Sequence, residues 1–356
     1  MRVALVGPAR SGKSSLFAAV AQAGGSHVDL HRPDQPHAAV IKVADERLTW
    51  LTEQYKPHKS TPVELELLDL PGFDLADEAG RARAKTHWPA MRNSDLLVFV
   101  VRSFDDPVVA PYRNRVDPQA DLRELLAEMI FADLEQTASR IDKLHAALHK
   151  SGAKVKENAK ELELLQRLQQ ALEQDHPAAE AVVSPEEAKL LRSFAFLSQK
   201  PALAVWNCSE QSVAAEAPAE LCGLPCVQLA AKIEAELSQL PAAERREFMA
   251  DLGLKDSARD RLGRACIRQM GCVTFLTVTG DECRAWAVSA GTDAVTAAGA
   301  IHSDIARGFI RAETIAFEDL HAAGDMKHAR AAGKVRLEGK SYVVQDGDVI
   351  HFRFNV

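Results

Sequence analysis

The sequence contains no long apolar run. None of its hydrophobic stretches approaches the roughly 18 residues that a bilayer-spanning helix needs. The chain also opens directly on a strand-like segment, with no secretion signal ahead of it. These absences argue against an integral membrane protein and a secreted protein, so we expect a cytoplasmic location and no membrane partner.

The chain also lacks a large excess of charge of either sign. The 50 acidic and 43 basic residues give a formal net charge of −7. We therefore expect no DNA partner, and an RNA contact would need a local basic face.

The six cysteines are scattered, and the pair Cys222 and Cys226 has neither a second pair nor a histidine at zinc-site spacing. Such cysteines are typical of free thiols in a reducing compartment rather than of a metal centre.

A phosphate-binding loop opens the chain. The apolar segment Arg2–Val6 predicts a buried strand, and Gly-x-x-x-x-Gly-Lys-Ser follows it from Gly7 to Ser14 before an apolar helical pattern. In this context the backbone N–H groups and the helix N-terminus cradle phosphate, the lysine reaches the outer phosphates and the serine binds Mg²⁺. The sequence therefore predicts a nucleoside triphosphate site that includes Arg10, Ser11, Gly12, Lys13, Ser14 and Ser15.

A second motif supplies an acid for Mg²⁺. The predicted strand Val63–Leu68 ends in Asp69, and Asp69-x-x-Gly72 follows about 55 residues after the phosphate loop. A carboxylate at that place holds Mg²⁺ through water, and the glycine N–H senses the γ-phosphate. Ser14 and Asp69 are therefore the predicted Mg²⁺ residues.

A third motif is the candidate reader of the base. Asn207, Cys208, Ser209 and Glu210 directly follow the apolar segment Ala202–Trp206, where small GTPases carry Asn-Lys-x-Asp. Glu210 is one methylene longer than that aspartate, so its paired hydrogen bonds to guanine weaken and adenine becomes acceptable. After the next predicted strand, the stretch containing Ala231 corresponds to the loop that closes on the base in GTPases.

The order of segments predicts three parts. Residues 1–127 and 200–270 alternate strand and helix patterns, which predicts an α/β domain with a mostly parallel sheet. Residues 128–199 carry apolar positions at helical spacing on either side of Ser151-Gly152, which predicts an antiparallel helical hairpin inserted into that domain. Residues 271–356 predict a small α+β module of short strands: Val273–Val278, Arg284–Val288, Gly333–Leu337, Tyr342–Val344 and a final strand from Val349 to the end.

These motifs, taken in order, resemble the YchF family, the Obg-like ATPases among the P-loop NTPases. The resemblance covers essentially the whole chain and includes Lys232–Leu237, Arg307–Glu313 and the segment from Gln345 to the C-terminus. It implies a G domain interrupted by a coiled-coil arm, then a ubiquitin-like (β-grasp) TGS domain. It further implies an ATP-preferring hydrolase that associates with ribosomes and influences translation or stress responses.

The sequence departs from the family pattern in the catalytic segments. The region from Ser26 to Ala44 should hold a Mg²⁺-binding threonine but contains none. Asp29 or Asp34 could replace it, or each could simply be solvated. Phe73 occupies the position at which Ras-type enzymes orient water with glutamine, and an aromatic ring cannot do so. The histidine that the family is thought to use instead falls at or next to Pro111, in a segment without histidine.

The missing groups leave two functions open. The first is a slow switch-like NTPase that couples ATP or GTP binding to a ribosomal or other RNA-bearing partner, with no catalytic side chain assigned. The second is a non-hydrolysing adaptor whose arm and C-terminal module bind RNA or protein partners.

Three histidines remain conceivable substitutes for the missing one: His27, His31 and His37. Lysines near the hairpin tip are either a solvated helix end or an RNA contact: Lys150, Lys154, Lys156 and Lys160.

Overall fold

The computed structural model describes residues 1–23, 34–148, 155–213 and 217–355. The chain divides into two compact units. The first comprises Met1–Ala39 and Glu66–Lys255, and the second comprises Val40–Leu65 and Asp256–Val356. Two of the candidate replacements for the missing histidine, His27 and His31, lie outside the described residues, as does Asp29, a candidate for the missing threonine. The Ser151-Gly152 break and the tip residues Lys150 and Lys154 lie outside them as well.

The described residues form thirteen strands: β1 (Arg2–Val6), β2 (His37–Val43), β3 (Lys59–Thr61), β4 (Val63–Asp69), β5 (Leu96–Ser103), β6 (Ala202–Cys208), β7 (Glu220–Leu221), β8 (Leu224–Leu229), β9 (Cys272–Val278), β10 (Glu282–Ser289), β11 (Phe309–Ala316), β12 (Arg336–Glu338) and β13 (Asp348–Phe354).

Fifteen α-helices lie in the same described ranges: α1 (Lys13–Ala23), α2 (Glu46–Tyr55), α3 (Glu78–Lys85), α4 (Trp88–Arg92), α5 (Pro118–Leu148), α6 (Val155–Glu173), α7 (Ala178–Ala181), α8 (Pro185–Leu191), α9 (Ala231–Gln239), α10 (Ala242–Asp251), α11 (Ala258–Gln269), α12 (Ala294–Ile301), α13 (Ser303–Arg307), α14 (Phe317–Ala323) and α15 (Met326–Ala331). Short 3₁₀ turns cover Tyr112–Asn114, Arg192–Phe194, Leu197–Gln199 and Glu210–Ser212. No helix among these is both long and apolar enough to cross a membrane.

The first unit is built on a parallel sheet, as the alternating pattern predicts. Its strand order is β4-β1-β5-β6-β8-β7, with β2 beyond β4. The neighbours from β4 to β8 are parallel, and only β7 is antiparallel to its neighbour β8 among these. The strands β1 and β5 are apolar and almost wholly buried, because helices cover both faces of such a sheet. The carboxyl ends of the parallel strands therefore meet at one edge.

The helix α5 serves two cores. Its first half packs Leu122, Leu125 and Met129 into the core beneath the sheet. Its second half packs Ile141 and Leu144 against the buried leucines of α6. The predicted pair of packed helices is therefore present, and α5 starts at Pro118 and runs without a break through residue 128, where the inserted segment was expected to begin.

The second unit holds a six-stranded sheet in the order β12-β11-β13-β9-β10-β3. The alanine-rich face of α12 packs on its core beside Phe275 and Phe352. The strand β11, which no pattern in the sequence predicted, pairs with both β12 and β13. The predicted strand Tyr342–Val344 is wrong, because Val343 forms only an isolated bridge to Asp293 in the described structure.

Candidate functional site

The phosphate loop lies at the carboxyl edge of the parallel sheet, between β1 and α1. Gly12 has a φ of +82°, and a Cβ built on it would lie 2.2 Å from Asn207 Nδ2. A Cβ on Gly7 would lie 2.4 Å from the carbonyl oxygen of Val100. Both glycines are therefore required where neighbouring chain comes closest to the loop.

Lys13 lies at the base of this loop with only 4% of its surface exposed. Its Nζ donates to a carboxylate oxygen of Asp69 and to the carbonyl oxygen of Leu70. Burial lowers the pKa of Lys13, and the neighbouring carboxylate opposes that shift. The structure thus brings the predicted phosphate lysine and the predicted Mg²⁺ carboxylate into direct contact, although they are 56 residues apart.

The other loop residues fit a phosphate ligand. The Oγ of Ser11 is buried and has no hydrogen-bond partner among the described residues. A buried hydroxyl without a partner is costly, and a phosphate oxygen would satisfy it. Ser14 and Ser15 are exposed on the first turn of α1. Arg10 is exposed as well, has a φ of +64°, and donates from its guanidinium to the carbonyl oxygen of Ala110 at 3.3 Å.

The donor set also fits Mg²⁺. The exposed hydroxyl of Ser14 and the carboxylate of Asp69 are the hard oxygen ligands that this ion prefers. The backbone places Ser14 directly after Lys13, whose Nζ already touches Asp69.

Asn207 connects the loop to the start of α9. Its Nδ2 donates to the carbonyl oxygen of Ser11 at 2.9 Å, and its Oδ1 accepts from the N–H of Ala231 at 3.0 Å. Only 2% of Asn207 and 3% of Ala231 are exposed. Both polar ends of this side chain are thus used by the protein itself, so Asn207 fixes the loop against the neighbouring strands.

The rest of the base-reading motif lies around the following turn. Cys208 is buried at the end of β6, and its Sγ lies 3.5 Å from Nε2 of Gln228. Ser209 directly precedes the 3₁₀ turn Glu210–Ser212, and its Oγ lies 3.0 Å from Oγ of Ser212. Glu210 is exposed, so its carboxylate is open to solvent.

Sequence reasoning missed a buried arginine beside the loop. Arg102 is 3% exposed and donates to three backbone carbonyl oxygens, those of Phe104, Val109 and, at 3.5 Å, Arg10. Its guanidinium also lies 4.6 Å from the centroid of the Phe104 ring, and that ring comes within 3.8 Å of a Cβ built on Gly12. The available signal was a charged residue at the end of an otherwise apolar strand.

Phe73 is tied to the phosphate loop through its backbone. Its N–H donates to the carbonyl oxygen of Gly7 at 3.0 Å, and its carbonyl oxygen accepts from the N–H of Ala9 at 2.9 Å. The side chain is 2% exposed and lies in the core. It makes an edge contact with Trp88 at 5.7 Å. The ring therefore packs in the core and is closed to solvent.

His87 is a second residue that the sequence did not single out. Its ring stacks on Phe73 with the centroids 6.0 Å apart and an interplanar angle of 11°. It is half-buried, and burial together with the charge of Lys13 lowers its pKa. Within the described ranges its ring nitrogens have no hydrogen-bond partner.

The loop near Pro111, which lacks the expected histidine, carries Tyr112 instead. The Tyr112 hydroxyl accepts from the N–H of Leu75 at 3.1 Å and donates to Glu124 at 3.1 Å. The guanidinium of Arg113 pairs with the same carboxylate of Glu124. Both side chains are therefore engaged in holding the segment after Gly72.

The fold and this site define a P-loop NTPase of the G-domain class. A family model described as a 50S ribosome-binding GTPase matches residues 2–136. A second model, named YchF-GTPase_C and described as a protein of unknown function, matches residues 272–355. The chain is 38% identical to the ribosome-binding ATPase YchF of Bacillus subtilis, over 99% of this chain and 98% of that one. The chain belongs to the YchF family.

Two further comparisons agree. The protein of the same name from Escherichia coli O157:H7 is 32% identical, over 99% of this chain and 98% of its own length. The solved structure of the Schizosaccharomyces pombe YchF GTPase superposes with a TM-score of 0.85 at 26% identity, covering 99% of this chain and 97% of that one. The resemblance to this family and the expected P-loop fold are therefore confirmed.

Proposed function

We propose that this chain is a cytoplasmic, ATP-preferring nucleotide switch that hydrolyses ATP slowly to ADP and phosphate while bound to ribosomes. The observation that carries the proposal is the phosphate loop, in which buried Lys13 faces Asp69 beside the unpartnered hydroxyl of Ser11. These groups supply a positive charge and a donor where the phosphates of a nucleotide would lie. Translation or a stress response is the process that such a switch would regulate.

The chain's own residues would divide the binding as follows. Lys13 would leave Asp69 for the outer phosphates, and Ser11 would donate to a phosphate oxygen. Arg10, Gly12 and Ser15 would shape the loop around the phosphates. Ser14 and Asp69 would hold Mg²⁺, with Asp69 acting through water, and the ion would neutralise phosphate charge during hydrolysis.

The preference for ATP rests on the base-reading residues. Glu210 replaces the aspartate that grips guanine, and it is exposed on the turn after Asn207, Cys208 and Ser209. A longer carboxylate loses the paired hydrogen bonds to guanine, so discrimination against adenine weakens. Competition of ATP and GTP against a fluorescent ATP analogue tests this. A preference for GTP of more than about tenfold would overturn it.

Hydrolysis is expected to be slow because Phe73 replaces the glutamine that orients water in Ras-type enzymes. Phe73 is packed in the core, and removal of a water-orienting group costs roughly 10²- to 10⁵-fold in rate. Single-turnover hydrolysis of ATP with Mg²⁺ measures this rate directly. Turnover near about one per second without a partner would contradict the proposal.

The partner proposal rests on the relatives, which are named ribosome-binding ATPases. We infer that the G domain spans 1–127 and 200–270, with an arm at 128–199 and a TGS domain at 271–356. The arm and TGS domain would contact the ribosome, including its RNA. Sedimentation with ribosomal subunits at low and raised salt tests this. Binding that ignores salt would argue against a phosphate-backbone contact.

A non-hydrolysing adaptor is the second candidate. The burial of Phe73 favours it, because the side chain at the water-orienting position is unavailable. Lys13→Ala distinguishes the two functions. If the chain is a switch, ATP changes ribosome binding of the wild type and this effect is lost in Lys13→Ala. If the chain is a passive adaptor, the wild type and the variant bind ribosomes equally with and without ATP.

A further inference from the structure

Hydrolysis by this chain, which is the function proposed above, needs a side chain that can hold the attacking water. The residue directly after the Asp-x-x-Gly motif is Phe73, whose ring is 2% exposed and packed in the core. Its backbone is nevertheless hydrogen-bonded to the phosphate loop at Gly7 and Ala9. The backbone that carries this ring is therefore fixed against the loop.

The residue that stacks on it is His87. The two rings lie nearly parallel, 11° apart, with their centroids separated by 6.0 Å. The backbone fixes this position, since the N–H of His87 donates to the carbonyl oxygen of Ala84 and its carbonyl oxygen accepts from the N–H of Met91. His87 thus stands at the start of α4, pinned by α3 on one side and by Phe73 on the other.

Two polar side chains near this segment are already engaged. The hydroxyl of Tyr112 is shared between Leu75 and Glu124, and Arg113 is paired with Glu124. His87 differs, because its ring nitrogens have no hydrogen-bond partner in the part of the chain that the structure describes. It is also half-buried rather than fully enclosed.

We propose that the imidazole of His87 holds the water that attacks the γ-phosphate and accepts its proton. The water oxygen forms the new bond to the γ-phosphorus. The bond from that phosphorus to the bridging oxygen breaks, and its electron pair leaves on ADP. The water proton passes to the free ring nitrogen of His87 and then to the phosphate product or to solvent.

The charge state of His87 suits this task. Burial is the larger cause and the positive charge of Lys13 the smaller cause of a pKa below the usual histidine value. Phe73, which stacks on the ring, is aromatic and uncharged at neutral pH. The ring is therefore neutral at physiological pH and has a lone pair to offer.

His87→Phe is the sharpest test, because phenylalanine keeps a flat ring against Phe73 and removes only the nitrogens. Single-turnover hydrolysis of ATP with Mg²⁺ should fall about 100-fold, in the range typical of a lost proton acceptor. The ATP affinity should stay within about twofold, since no phosphate contact is removed. The wild-type rate should fall on acidification as the ring becomes protonated, and the variant should lack this limb of the pH profile.

Two further variants complete the experiment: His87→Gln and, as a control, His145→Gln. Glutamine can orient water but cannot take its proton, so this variant should keep part of the activity and lose the acidic limb. His145→Gln, an exposed histidine on α5, should behave as the wild type. Unchanged hydrolysis in His87→Phe overturns the role of His87 alone. A wild-type chain that binds ATP and never cleaves it overturns both this role and the proposed hydrolysis.

Discussion

The amide of Asn207 donates to the carbonyl oxygen of Ser11 across 2.9 Å, which joins residues 196 positions apart in the chain. The same side chain accepts from the N–H of Ala231. One buried amide therefore holds the phosphate loop and the segment after β8 at a fixed distance. The shape of the nucleotide site depends on this side chain even if it never touches a ligand.

Asn207→Ala should weaken ATP binding. Loss of two buried hydrogen bonds costs about 2 kcal/mol in total and frees the loop to move, so we expect the affinity for a fluorescent ATP analogue to fall at least about tenfold. Asn93→Ala, which removes an exposed asparagine, is the matched control and should bind normally. Equal affinities of the two variants would show that the bridge does not shape the site.

Gly12→Ala should abolish ATP binding without unfolding the protein. Its Cβ would meet Asn207 Nδ2 at 2.2 Å, and the φ of +82° adds strain of about 1 kcal/mol. Gly223→Ala is the control, since Gly223 has a φ of +78° and no atom within 4 Å of its Cβ. Titration with the ATP analogue should show loss of binding in the first variant only. Comparable losses in both would mean that strain, not the clash, is responsible.

Tyr112→Phe should loosen the segment after Gly72. The change removes the hydroxyl that accepts from the Leu75 N–H, and a lost hydrogen bond of about 1 kcal/mol corresponds to roughly fivefold faster amide exchange. Hydrogen exchange at Leu75, read with Gly80 as an internal reference, measures this. The Gly80 N–H is bonded to Asp77 at 2.7 Å and should not change. Unaltered protection of Leu75 would contradict the role of Tyr112.

Asp121→Asn should make stability less sensitive to pH. Burial is the main cause that raises the pKa of Asp121 to about 6, with Arg115 opposing the shift. A raised folded-state pKa means that the wild type is most stable when this carboxyl is protonated and loses stability as the pH rises through about 6. Between about pH 4 and pH 7.5, the free energy of unfolding of Asp121→Asn should therefore rise relative to that of the wild type by about 2–3 kcal/mol at most.

Thermal unfolding of Asp121→Asn and the wild type across that pH range gives the measurement. Asp142→Asn is the control, because Asp142 is an exposed carboxylate on the same helix. The melting temperatures of the control and the wild type should keep a constant difference. If Asp121→Asn also kept a constant difference, the buried carboxyl would not be linked to folding.

Much of the fold and part of the site are readable from sequence. The phosphate loop, the acid at the end of β4 and the asparagine at the end of β6 each follow a buried strand, and such strands are recognisable from local apolar runs. The strand β11 was missed because its burial does not alternate: Ile310 and Arg311 are both exposed, and the four residues from Ala312 to Ile315 are all buried. Such a strand carries no period-two signal in the sequence.

The sequence by itself determined which residues form a strand, a loop and a helix around Gly7–Ser14, because turn chemistry and periodicity are local properties. Only the tertiary structure decided that Lys13 faces Asp69, that Asn207 holds Ser11, and that His87 stacks on Phe73. Those pairs depend on which strands become neighbours and in which register. Strand order arises from packing across the whole sheet, and no local pattern encodes it.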